Sequence, residues 1–214
     1  MITEFVKGNP NQVKTLSNFG LSHPFDIAVD AHGNLWVTSV GNNKVVEFDS
    51  NGSVLASYSS AFSNPLAIAT DSLGNAGVTN LSGSSITEID TQGTTHVFRG
   101  GGVKGPWGIA VDGNDNIWVA DFVSQAVSEF CGTRVENCPE GLKTGDPISP
   151  GMGFTSEAAQ RLTGVVIDPS GNLWAADNWK HIPILTNPGG SGMLELIGIA
   201  APVKAPRIGP PQQP

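Results

Sequence analysis

The chain has 214 residues, a formal net charge of −8, 14% charged residues, 27 Gly and 15 Pro. It is long enough to bury a substantial core, and it holds no run of about 18 apolar residues of the kind that crosses a membrane as a helix. Its eleven Lys and Arg are too few and too scattered to form the basic face that a phosphate backbone requires, so no nucleic-acid partner is expected.

The Gly and Pro content favours many short strands, and the longest helix-compatible stretch is Ser156 to Leu162. Ile2 to Phe5 and Val13 to Leu16 are predicted as a first strand pair. From His23 to Ser39 two strands flank the turn Asp30 to Asn34, with a third strand at Val45 to Phe48 and a fourth at Val54 to Tyr58. The same order returns at Asn64 to Asn80, with Ile86 to Ile89 and Thr95 to Phe98 behind it, and again at Gly105 to Asp121, with Val127 to Phe130. Asp30, Asp71 and Asp112 are spaced by 41 residues, and Asp168 follows after 56, so about fifteen residues are inserted before the last copy. Trp36, Trp118 and Trp174 stand six positions after their Asp, and Gly77 takes that slot in the second copy.

Four strands in about 40 residues make one propeller blade, whereas helical repeats of this length would need amphipathic stretches that Gly and Pro interrupt here. The expected fold is all-β: a β-propeller of four-stranded blades, with four blades and an N-terminal half-blade in this chain. The boundaries fall at 1–20 for the half-blade, then 21–62, 63–103, 104–161 with the insertion, and 162–203, all in one domain. A Pro-rich tail, 204–214, reads as an extended strap. Leu194 to Ile199 reads as the outer strand of the last blade, which leaves the half-blade without inner strands. Either the propeller is longer, with six or seven blades, or two copies pair as a homodimer through the open blade edge.

Cys131 and Cys138 lie seven positions apart in the insertion. They read as a disulfide pinning a short loop, with free inert thiols as the alternative; two Cys alone supply only half of a zinc tetrahedron. The disulfide implies a secreted or periplasmic location, although the chain opens without the charged and apolar regions of a signal peptide. Cys131 to Cys138 is expected to replace the turn and outer strand of its blade. Pro139 to Arg161 is expected to return over the axial mouth as a lid carrying Lys143, Asp146, Glu157 and Arg161.

The stretch Pro106-Trp107-Gly108-Ile109-Ala110-Val111-Asp112 through Trp118-Val119-Ala120-Asp121 resembles an NHL repeat. Ile2-Thr3-Glu4-Phe5 with Asn34-Leu35-Trp36-Val37-Thr38 is similar to the streptogramin (virginiamycin B) lyase group of propellers. The resemblance implies the blade rather than an activity. Propellers of the regucalcin, gluconolactonase and paraoxonase kind hold a divalent cation at the axial mouth and open lactones, and other NHL propellers only bind partners. The lyase group uses a Glu-x-His element that is absent from the matching strand ends Thr38-Ser39-Val40, Thr79-Asn80-Leu81, Ala120-Asp121-Phe122 and Ala176-Asp177-Asn178, so a metal-dependent lactone or ester hydrolase is the better enzymatic reading.

In a propeller, the starts of first strands and the ends of second strands share one rim, and the Asp-bearing turns share the other. The functional rim therefore carries His23, Asp26, Ser39, Asn80, Trp107, Asp121, Asp177, Asn178 and His181. Asp26, Asn80, Asp121 and Asp177 offer oxygen ligands of the type Ca2+ takes. Asp26, His23 and His181 are the candidates for acid–base work, and Trp107, Asn178 and Arg161 for ligand contact. Asp26 stands out because its slot holds Ala67, Gly108 and Gly164 in the other copies. The recurrent turn acids Asp30, Asp71, Asp112 and Asp168 read as turn-closing acceptors. Glu4, Glu47, Glu88 and Glu129 read as a solvated or inter-blade hydrogen-bonding face. No phosphate loop, Gly-x-Ser-x-Gly or His-Glu-x-x-His motif is present, and no nucleotide or organic cofactor is expected. The chain is thus expected to bind a small molecule or a protein at its axial face, with cation-dependent hydrolysis as the alternative.

Overall fold

The alternation of apolar and polar residues around each Asp turn folds as a series of antiparallel strand pairs. The computed structural model describes residues 2–5, 11–16, 19–179 and 192–203. Two compact units are formed, Met1–Val97 and Phe98–Pro214.

In the first unit, β1 (Ile2–Phe5) pairs with β2 (Val13–Leu16) as an isolated two-stranded sheet. The next sheet has the order β3 (Pro24–Val29), β4 (Leu35–Ser39), β5 (Lys44–Phe48) and β6 (Val54–Tyr58), and the third repeats it with β7 (Pro65–Thr70), β8 (Ala76–Asn80), β9 (Ser85–Ile89) and β10 (Thr95–Phe98). The second unit holds a four-stranded sheet of β11 (Pro106–Val111), β12 (Ile117–Asp121), β13 (Ala126–Phe130) and β14 (Phe154–Thr155), followed by a three-stranded sheet of β15 (Arg161–Ile167), β16 (Leu173–Trp179) and β17 (Gly192–Leu196). The three four-stranded sheets, with the three-stranded one that repeats their order, are blades of a β-propeller, the fold expected from the repeat.

The six-residue spacing from Asp to Trp has a direct cause. Asp30 Oδ1 accepts the backbone N–H groups of His32 and Asn34, and its Oδ2 accepts the indole N–H of Trp36 at 3.1 Å. Asp112 and Trp118 repeat this at 3.0 Å, and Asp168 and Trp174 at 3.2 Å. The carboxylate closes the hairpin and fixes the ring between neighbouring blades. Trp36 packs with Ile68 and Val78 of the next blade, and Trp118 with Leu162 and Val165. Gly77 lacks the indole, and Asp71 keeps the turn bonds to Leu73, Asn75 and the Asn75 amide.

Two expectations are corrected here. Gly192–Leu196 pairs directly with β16, so the stretch read as a fourth, outer strand takes the third position of the last blade, and no fourth strand follows among the described residues. Beyond it, Ile199 to Pro202 turns back to the Asp112 hairpin, where Ala201 N–H donates to Asp112 Oδ2 at 3.1 Å. The insertion does not form a lid either. After the Cys131–Cys138 disulfide, whose Cα atoms lie 5.6 Å apart, the chain returns along the free edge of β13. Pro147 bridges to Phe130, Ile148 N–H donates to Glu129 O at 2.9 Å, and β14 pairs with Ala126 and Val127. The open edge of β13 takes up these backbone groups, which would otherwise go unpaired. Lys143 and Asp146 close a tight turn within this segment. The disulfide itself is compatible with an extracellular location.

Candidate functional site

In each unit the second strands end on one slot, occupied by Ser39 and Asn80 in the first unit and by Asp121 and Asp177 in the second. Each side chain accepts a backbone N–H from the segment seventeen residues upstream: Ser22 to Ser39 at 2.7 Å, Ser63 to Asn80 at 3.0 Å, Lys104 to Asp121 at 3.2 Å and Gln160 to Asp177 at 3.0 Å. Asp177 also accepts Arg161 N–H at 2.8 Å. All four are buried and clamp the incoming chain to the end of the second strand.

Asn80 extends its clamp inward, donating to Thr87 Oγ1 at 2.8 Å, while Thr87 donates to the Ala61 carbonyl at 2.7 Å. The third blade copies this with different chemistry. Asp121 Oδ2 is 2.6 Å from Ser128 Oγ, which is 2.8 Å from the Gly101 carbonyl. A carbonyl can only accept, so when the single hydroxyl hydrogen goes to Gly101 the acid must supply the other. Burial pushes the Asp121 carboxyl up to about 8, against the opposing Ser128 hydrogen bond, and the protonated acid plays the part of the Asn80 amide.

Asp26 is half-buried on β3. Its Oδ2 accepts Ile68 N–H from the neighbouring first strand at 3.0 Å, and its Oδ1 accepts Ile27 N–H at 2.9 Å. Of the small residues at this slot in the other copies, Gly108 is crowded, since a Cβ there would stand 2.7 Å from Thr163 O, whereas a Cβ on Gly164 would meet only that of Ala176 at 3.7 Å. His23 is exposed, with Nδ1 3.2 Å from Ser22 Oγ, and its positive φ of 49° is shared by Asn64 and Gly105 at the same slot before Pro24, Pro65 and Pro106. His181 lies outside the described residues, as does the tail 204–214.

Among the described residues no three His, Cys, Asp or Glu come together as a group able to hold a metal ion. The oxygen atoms of Asp26, Asn80, Asp121 and Asp177 face backbone and hydroxyl donors.

Two of the three residues expected to contact ligand, Trp107 and Arg161, meet at Phe122 in the second unit. Trp107 from β11 lies 5.0 Å from Phe122, which follows β12, and Phe122 meets Trp179 of β16 edge-on at 5.6 Å. The Arg161 guanidinium sits 5.1 Å from the Phe122 centroid, and its Nη1 donates to Phe122 O at 2.8 Å. Asn178 is exposed beside this group and accepts from Thr163 Oγ1 at 2.8 Å. Trp107, Phe122, Arg161 and Trp179 are each partly exposed. Phe122 and Thr163 were not anticipated. The signal for Phe122 was available, since its slot holds Val40, Leu81 and Asn178 in the other copies and an aromatic ring appears there once.

The glutamates on the third strands were expected as a solvated or an inter-blade hydrogen-bonding face, and two of them are internal. Glu88 and Glu129 are buried, and burial together with Asp71 and Asp112 respectively pushes each up to about 7. They form an internal face rather than a solvated one.

Residues 104–130 match the model of the NHL repeat. A comparison of the sequence with curated proteins finds no match. Among solved structures, the chain is similar to a streptogramin B lyase, with a TM-score of 0.63, 16% identity, and coverage of 84% of this chain and 56% of that one. It is also similar to a catalytically inactive virginiamycin B lyase from Staphylococcus aureus with quinupristin (TM-score 0.61, 14% identity, 86% of this chain and 58% of that one). A third is the hydrazine synthase of Kuenenia stuttgartiensis (TM-score 0.64, 16% identity, 86% and 52%). The chain spans a little over half the length of these structures, and the likeness is one of fold.

Proposed function

We propose that this propeller binds a small, flat, largely apolar ligand carrying an anionic or acceptor group on the rim of its second unit. The observation that carries the reading is the cluster centred on Phe122, where two further rings and a guanidinium leave partly exposed faces side by side. Rings of this kind supply broad contact area at low cost in side-chain entropy, while Arg161, Thr163 and Asn178 orient a polar edge.

The probe is 8-anilinonaphthalene-1-sulfonate, which is flat and anionic, titrated against the protein with excitation of tryptophan. Energy transfer from Trp107 and Trp179 is expected, with affinity about tenfold weaker in Trp107→Ala and in Arg161→Lys. Equal affinity in both variants and the parent would remove the reading and leave the rim to a protein partner. The cation-dependent hydrolase lacks comparable support, because Asn80, Asp121 and Asp177 clamp incoming backbone and Asp26 accepts Ile68 N–H. A chelator is expected to leave the melting temperature unchanged; a fall, accompanied by loss of turnover on lactones or esters, would restore that alternative.

A further inference from the structure

The hairpin between β5 and β6 carries the triplet Asn51-Gly52-Ser53, with Asn51 and Ser53 exposed. Its turn is built by Asp49, whose Oδ1 accepts the backbone N–H groups of Asn51 at 2.9 Å and Ser53 at 2.7 Å. Asp49 N–H donates to Ser53 O at 2.9 Å, Gly52 N–H donates to Asp49 O at 2.9 Å, and Gly52 takes the positive φ of 84° that this turn demands. The turn between β9 and β10 has the same build. Asp90 Oδ1 accepts Gln92 N–H at 2.9 Å and Thr94 N–H at 2.8 Å, Gly93 N–H donates to Asp90 O at 2.8 Å, and Gly93 has a φ of 79°. Gln92 and Thr94 thus hold the places of Asn51 and Ser53 and are exposed as well.

Asn-x-Ser/Thr, with x other than Pro, is the acceptor triplet for N-linked sugars, and the chain holds it twice. The fold separates the two copies. In Asn80-Leu81-Ser82 the asparagine is fully buried, its Oδ1 accepts Ser63 N–H at 3.0 Å and its Nδ2 donates to Thr87 Oγ1 at 2.8 Å, so a sugar on that nitrogen would break the clamp and be driven into the interior. At Asn51 the turn is held by backbone N–H groups and the Asp49 carboxylate, and a sugar there leaves that ladder in place. The Asn51 side chain also bonds Asp49, and the hydrogen that remains on a substituted amide nitrogen keeps such a bond. The Cys131–Cys138 disulfide is compatible with the extracellular route along which these sugars are attached.

We propose that Asn51, presented by the Asp49 turn, is a site of N-linked glycosylation. The Asn51 amide nitrogen forms a bond to the anomeric carbon of a sugar carried on a lipid diphosphate. The carbon–oxygen bond to the diphosphate breaks, the lipid diphosphate leaves with the electron pair, and the amide gives up one proton. Secreted from a eukaryotic host, the full chain should carry a single glycan by intact-mass measurement. Peptide-N-glycosidase F in 18O-labelled water should remove it and leave a labelled aspartate at position 51, which distinguishes the event from spontaneous deamidation of the Asn-Gly pair. Asn51→Gln and Ser53→Ala should each abolish the mass shift, and Ser53→Ala retains the backbone N–H that Asp49 accepts, so the turn is kept. Gln92→Asn completes the triplet on the matched turn and should add a second glycan. A secreted parent without a glycan, a glycan that persists in Asn51→Gln, or a Gln92→Asn variant that gains none overturns the proposal. The readout is a covalent mass that involves no rim ring, so it is independent of the naphthalene-sulfonate titration.

Discussion

Asp121 carries a charge question that Asn80 avoids at the same slot. With a folded value raised to about 8 against an ordinary aspartate near 3.8, the native state holds a proton that the unfolded chain gives up. The stabilisation is full below the unfolded value and is lost as pH rises through the folded one. Glu88 and Glu129, raised to about 7, act in the same direction. Asp30 and Asp90, lowered below their ordinary values despite burial by hydrogen bonds to their turns and, for Asp90, by His96 first of all, act oppositely below about pH 4. Stability measured by urea unfolding should thus peak on the acid side of neutrality and fall on the order of a few kcal/mol toward pH 9. Asp121→Asn keeps the Lys104 bond and donates to Ser128 as Asn80 does to Thr87, so it should equal the parent below about pH 4, gain on it as pH rises, and exceed it most above about pH 8. A variant that is weaker at every pH would show that the acid is needed ionised. The residue types at this slot were legible in the sequence as a rim position, but their role was not: an acid that clamps backbone and an acid that holds a ligand have the same letter and the same spacing. Only the upstream N–H groups, which no periodicity reveals, separate them.

Strands were legible where the hairpin connections stay at their common length, because the 41-residue step carries the second and third strands of three blades in register. They were misread where a connection lengthens. The chain between β16 and β17 runs from Trp179 to Gly192, so counting from Asp168 places the outer strand where the third one lies. In the third blade the outer strand is postponed by the disulfide loop, and backbone demand along β13 brings it back at Phe154. This separation of loop from strand has a measurable consequence. Arg134 pairs with the buried Asp115 at 3.0 Å, and the loop is closed by Cys131 and Cys138, whereas Gly145 N–H to Cys131 O, Cys131 N–H to Asp146 O and the Pro147 bridge hold the returning strand independently. Replacing both cysteines by Ser should cost about 2–3 kcal/mol through the freed chain entropy of the unfolded state, measured by urea unfolding. The amides of Ile148 and Val127 should keep their protection from hydrogen exchange; their early loss would mean that the loop supports the strand.

At the scale of the whole molecule the blades follow one packing rule. The face bearing Ala28 and Trp36 covers Ile68 of the blade that follows, and in the second unit Trp118 covers Val165 in the same way. Leu66 and Ile68 are buried by this arrangement, but Phe25 and Ile27, which hold the same slots on β3, are 50% and 47% exposed, and Val29 beside them is 60% exposed. Phe19 and Leu21 cover Val37, Val46 and Phe48 further out on that blade and do not bury the first strand. The complementary kind of face is exposed on the last blade, where Val166, in the slot of Ala28, is 61% exposed. An apolar face of one kind on β3 and of the other kind on β15 suit a heterologous contact between two copies, the last blade of one against the first strand of another. We propose that copies associate in this manner. Sedimentation velocity should show association that rises with protein concentration, and Ile27→Glu and Val166→Lys should each suppress it. Combining the two substitutions in one chain should restore part of it, because opposite charges then meet across the contact. A monomer at every concentration, or a double variant no better than either single one, would leave β3 and β15 as separate exposed surfaces.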